Sequence, residues 1–174
     1  LDVFEDTNIY SVDGDGVSIT GLLSHNSVIE LNGSKVSIDI KTSAEPLKDY
    51  FFVSAVKGIE SPAVGASGAS VDINIDAKEA DIVYGIRSQA CQIINDSNVN
   101  LVSVGGVEAI GLFSQTNEEK DGVKIHNSNV SINMQYAPDI DEKAKICLFA
   151  IATMLYDISL NETSTISLDC NGEG

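Results

Sequence analysis

The chain has no tryptophan, one arginine (Arg87), three prolines and three cysteines in 174 residues, and only 6 % of it is aromatic. Each shortage excludes something. Cys91, Cys147 and Cys170 cannot all pair within one chain, and no CxxC or other metal-binding spacing joins them, so they are expected to be buried thiols acting as small apolar side chains. Nowhere do 18 apolar residues run together, so no membrane-spanning helix is written and no membrane insertion is expected. Cationic side chains are scarce as well. Ten Lys and Arg stand against 26 Asp and Glu, giving a net charge of −16. Such a surface repels phosphate backbones, which argues against nucleic acid as a partner. Calcium, or neutral ligands such as sugars, stay compatible with it.

What is present points to strands. Hydrophobic residues make up 43 % of the chain, too many for disorder. The length suits one domain with a proper core. Ser, Asn, Asp, Val and Ile dominate, a mix that favours strands joined by polar turns.

The line IINDSNVNL (93–101) returns 31 residues later as KIHNSNVSI (124–132). Loosened to small-x-apolar-x-apolar, it occurs five times, as SKVSI, ASVDI, SNVNL, SNVSI and STISL from residues 34, 69, 97, 128 and 164. A second line alternates with it: TGLLS (20–24), VSAVK (53–57), YGIRS (84–88), IGLFS (110–114) and FAIAT (149–153). Recurrence at 26 to 39 residues marks a repeat architecture.

Each copy of the first line alternates with period two, so it reads as a strand. Val36, Val71, Val99, Val130 and Ile166 fall on one side, with Ile38, Ile73, Leu101, Ile132 and Leu168 two residues on. Ser, Asn and Asp fill the other side. No segment keeps a 3.6-residue period long enough for helical repeats, and a propeller blade needs more strands than the shortest step holds. Three short strands per repeat fit.

These ladders resemble the stacked rungs of right-handed parallel β-helices, the pectin-lyase-like solenoids, over about residues 16–170. The resemblance implies an all-β solenoid of about five coils of three short strands. It makes 1–174 a single domain, with 1–15 as an N-terminal capping segment. It also implies a secreted or cell-surface protein of adhesin or carbohydrate-binding type. It matches no catalytic signature.

Four candidate sites follow. Asp39, Asp72, Asn74, Asn100, Asn133 and Asp169 fall on the polar side of the first line, where carboxylates and amides suit a polysaccharide or host glycan, or calcium. Asp13 and Asp15 in VDGDGV resemble the start of a calcium loop, without the rest of that motif. Asp39 and Asp72 on adjacent rungs could come within about 5 Å, the approach glycoside hydrolysis needs, but a flat ladder is no cleft. The second line is apolar on both faces, which suggests a covered outer stripe through Phe52, Val83, Phe113 and Leu148. A homo-oligomer partner, an adjoining domain or the chain's own N-terminal segment would cover it.

Arg87 is the sole candidate for a lyase base, and its neighbours in the repeat are apolar, so its stem is expected to lie over apolar surface. His25 and His126 lack zinc spacing. The leading expectation is therefore a non-catalytic recognition module without a cofactor. A β-helix lyase or hydrolase and a structural stalk are the alternatives. Thiol titration of unreduced, denatured protein should recover three thiols per chain; fewer would reveal a disulfide.

Overall fold

The computed structural model describes residues 2–3, 7–9, 18–41, 53–77, 80–106, 108–115, 122–135, 147–154 and 157–171. In chain order, the first coil is β1 (Asp2–Val3), β2 (Thr7–Ile9) and β3 (Ser18–Leu23). The second is β4 (Ile29–Asn32), β5 (Lys35–Lys41) and β6 (Val53–Ser61), and the third is β7 (Val64–Ser67), β8 (Ser70–Asp76) and β9 (Ala80–Ser88). The fourth is β10 (Gln92–Asn95), β11 (Asn98–Val104) and β12 (Glu108–Ser114). The fifth is β13 (Val123–His126), β14 (Asn129–Gln135) and β15 (Cys147–Thr153), and β16 (Ile158–Leu160) and β17 (Thr165–Asn171) start another.

Every third strand pairs in parallel, which builds three sheets along one axis. The first sheet runs β1-β4-β7-β10-β13-β16, the second β2-β5-β8-β11-β14-β17 and the third β3-β6-β9-β12-β15. This is a right-handed parallel β-solenoid, the hand that parallel crossovers almost always take. No helix occurs among the described residues.

The repeated line is the second sheet. Val36, Val71, Val99, Val130 and Ile166 are direct neighbours across β5, β8, β11, β14 and β17. The four valines are buried. Two residues on, Ile38, Ile73, Leu101 and Ile132 form a second buried row. A strand with one face dry and the other wet must alternate with period two, and parallel pairing puts each copy over the last. The rows lose cover at their ends. Leu168 is 54 % exposed and Leu160 50 %, so the last coil leaves the core partly open.

The corner between the first and second sheets accounts for the polar part of the line. Gly33, Gly68, Asp96 and Asn127 hold successive corners at positive φ, between 48° and 64°. Gly, Asp and Asn are the residues that adopt this conformation at least cost. The serine that follows ties one coil to another. Ser97 Oγ accepts the Ala69 N–H at 3.0 Å and donates to Asn95 O at 2.6 Å. Ser128 Oγ accepts the Ser97 N–H at 3.1 Å and donates to His126 O at 2.6 Å. Each such bond contributes about 1 kcal/mol.

The third sheet departs from expectation in two ways. Lys57 pairs with Tyr84 and Ile59 with Ile86, so the copy in β6 is GIES (58–61) and not VSAVK. The true ladder is Gly21, Gly58, Gly85, Gly111 and Ala150. The inward–outward alternation also shifts by one residue at these glycines. Ile19, Val56, Val83 and Ala109, two residues before the glycine, are buried in the core, as are Ile59, Ile86 and Leu112 just after it. Val83 therefore belongs to the solenoid interior and not to an outer stripe. A side chain on the glycine would itself point inward, toward the second sheet. A Cβ on Gly85 would lie 2.6 Å from Gly111 O and 2.9 Å from Leu101 Cδ1.

Cys91 is a half-buried thiol instead of an enclosed one. The side chains of Cys147 and Cys170 lie outside the described set. The Gly85→Ala change should lower the urea midpoint by the equivalent of about 1–3 kcal/mol, because backbone and core must both shift. Ala150→Gly, at the last rung of the same ladder, should cost no more than about 1 kcal/mol. Equal effects at the two positions would refute close coil packing at the ladder.

Candidate functional site

Outward side chains of the second sheet form flat rows across five coils. The row nearest the corner holds Lys35, Ser70, Asn98, Asn129 and Thr165, and the next holds Ser37, Asp72, Asn100, Ser131 and Ser167. The third holds Asp39, Asn74, Val102, Asn133 and Asp169. All six residues expected at a ligand face lie here, split between the second and third rows. The first two rows line a shallow depression of about 220 Å³, which contains Asp72 and Asn100 but not the other four. Ser70, Asn98, Asn129, Ser131, Thr165 and Ser167 complete its polar lining. Their signal in the sequence is the same polar parity, applied to residues whose type alone did not single them out.

Amides on this face bond to their row neighbours. Asn74 Nδ2 donates to Asp39 Oδ1 at 2.8 Å, Asn129 Nδ2 to Asn98 Oδ1 at 3.0 Å, and Asn100 Nδ2 to Asp72 Oδ1 at 3.4 Å. The pairs restrain side chains that would otherwise sample several rotamers, and they leave further lone pairs and N–H groups facing out. At the edge, Lys41 and Asp76 form an exposed pair 3.9 Å apart, which solvent screens to little worth.

The register also corrects the hydrolase geometry. Asp72 lies opposite Ser37, and Asp39 opposite Asn74, so the two carboxylates are diagonal and each is flanked by a neutral group. They do not form the pair about 5 Å apart that a retaining glycosidase uses, and only Asp72 of the two lies in the depression. Among the described residues no group of three or more His, Cys, Asp and Glu is placed to hold a metal ion. Asp13 and Asp15 lie outside the described residues, as do Phe52 and the acidic stretches at 118–121 and 139–142. His25 and His126 are exposed.

On the outer face of the third sheet, Arg87 is not surrounded by apolar residues alone. The corrected ladder puts it opposite Glu60, and Arg87 Nη1 bonds to Glu60 Oε1. Its Nη2 donates to Gln115 Oε1 at 2.9 Å, and its Cζ lies 5.7 Å from the centre of the Tyr84 ring. Lys57 Nζ adds a second ion pair to Glu60 at 2.7 Å. Nη1 and Nη2 are thus each bonded to a structural partner, while Nε is buried without one. Phe113 does point outward, half-buried, with its ring 5.3 Å from that of Tyr84. Leu148 packs against the core.

Burial alone would raise the Glu60 carboxyl, but hydrogen bonds and charge from Lys57 and Arg87 outweigh it and hold the group below its ordinary value. Burial pushes the Tyr84 phenol up, against the pull of Arg87 and with reinforcement from Glu108 and Glu60.

No family model, curated protein or solved structure matches the chain. Its class is given by architecture, a parallel β-solenoid with a polar outer sheet face.

A carboxyl held low in the folded chain stabilises it above the unfolded-state value and ceases to do so as pH falls through the lower folded value. Glu60 should therefore titrate below 4.5 in a carboxyl-resolved NMR experiment. Glu60→Gln should lose stability at neutral pH and flatten the acid limb of the stability curve. A Glu60 midpoint at or above 4.5 would show that the ion pairs do not form.

Proposed function

We propose that the chain is a non-catalytic recognition module of a secreted or surface-displayed protein, and that the outer face of its second sheet binds neutral glycans. One observation carries the reading. A depression bordered by amide and hydroxyl side chains, with mostly carbon surface between them and a single carboxylate at Asp72, lies on a chain of net charge −16. Hydroxyl-rich ligands need many donors and acceptors held in fixed positions, and the paired amide rows supply them. Acidic polysaccharides, the substrates of pectin-lyase-like enzymes, would meet repulsion from the same chain. The bonds that hold both terminal nitrogens of Arg87, and a depression that contains Asp72 but not Asp39, favour binding over cleavage.

A glycan array carrying neutral and acidic saccharides tests this directly. Neutral glycans should be retained and acidic ones not. Asn100→Ala, which removes an amide from the depression, should weaken binding about tenfold, the worth of a good hydrogen bond. An array without signal from any glycan would sink the proposal and leave the structural-stalk reading in its place.

A further inference from the structure

On the binding face just described, we infer that Val102 and Val104 form an apolar platform against which the carbon-bearing face of a neutral pyranose packs. The inference rests on the glycan-binding reading and adds the part of the site that selects for a sugar ring.

The observation is a local reversal of polarity in β11. Val102 sits in an outward row whose other members are Asp39, Asn74, Asn133 and Asp169. Val104 sits in the next, between Asp76 and Gln135. Between the two valines, Ser103 points inward and is 8 % exposed, in a row where the flanking coils place Ile75 and Met134. A strand shaped only for stability would reverse all three choices, with an aliphatic residue at 103 and polar ones beside it. Both valines are half-buried on the otherwise polar face.

Their position gives the reversal a use. Val102 is two residues along the same face from Asn100, which lines the depression, and Asn74 and Asn133 flank it in its own row. A pyranose has a face of C–H groups and a rim of hydroxyls, so it needs an apolar surface adjoining hydrogen-bonding groups. Aromatic rings commonly provide that surface, but none stands in the rows described here. The two valines provide it instead, with Asn74 and Asn133 on either side of Val102, Asp76 and Gln135 on either side of Val104, and amides in the depression beyond.

The test uses the full chain and titration calorimetry with the neutral glycan that gives the strongest array signal. The Val102→Ser/Val104→Ser double variant should bind about tenfold more weakly at an unchanged melting temperature, from lost apolar contact. Val102→Ile should bind like the parent. Val102→Thr, close to valine in shape, replaces the double variant if the latter melts early, and should also weaken binding. Ser103→Val should raise the melting temperature and leave affinity unchanged. Parent-like affinity in the folded serine or threonine variants would overturn the platform while leaving glycan binding intact. A parent protein that binds no glycan would overturn both. Binding of an aliphatic or protein ligand at these valines, in place of sugar, would overturn the assignment to a pyranose.

Discussion

Everything in this molecule depends on one coil lying flat on its neighbour at the spacing of a parallel sheet, about 4.8 Å. No coil encloses its own apolar residues, so each is stable only against the ones beside it. That spacing dictates the rows of like residues inside, the glycines where a third-sheet strand must approach the carbonyl of the next coil, and the serines that bind corner to corner. It also dictates the outside. Because the strands are in register, polar side chains come in straight rows with fixed neighbours, and their order along a row follows the chain's order of coils.

The outer faces of the second and third sheets use this regularity differently. On the third sheet, Glu60 receives both Lys57 and Arg87, and the aromatic rings of Tyr84 and Phe113 close over the same region. The ion pairs there are made within the chain, and the side chains of Lys57 and Glu60 are only 13 % and 15 % exposed. On the second sheet, amides and hydroxyls bond along their rows yet retain outward-facing capacity. A face whose polar groups are consumed has little to offer a ligand. That contrast, more than the acidic composition, singles out the second sheet.

The second sheet was legible in the sequence because its strands are dry on one side and wet on the other, so Val36 through Ile166 announce themselves by alternation. The third sheet was not, because its alternation shifts by one residue at glycine and buries positions on both sides of the shift. Val83 and Ile86 are both inside, which period-two reading cannot allow. In β6 the charged Glu60 also disguised Gly58, so VSAVK looked the better copy. With that slip, the ion pair between Glu60 and Arg87 was invisible, since it exists only when residue 60 lies opposite 87. At the candidate site, parity placed all six residues on the outer face of the second sheet. The alignment that sets Val36 beside Val71 also sets Asp39 beside Asn74 and Ser37 beside Asp72, so the register of the polar rows was legible too.

The glycine ladder has a bearing on how such a chain can lengthen. A duplicated third or fourth coil would carry its own Gly85 or Gly111 and could be inserted without altering the contact on either side. Ala150 differs. In the preceding rungs an added methyl would come within 2.6 to 2.9 Å of a carbonyl oxygen in the following coil. A copy of the fifth coil placed inside the stack would set a methyl group against the next carbonyl and force the two apart. Duplication of the third or fourth coil thus leaves the ladder contact unchanged, whereas an unaltered copy of the fifth carries the cost of a methyl against a carbonyl, about 1–3 kcal/mol.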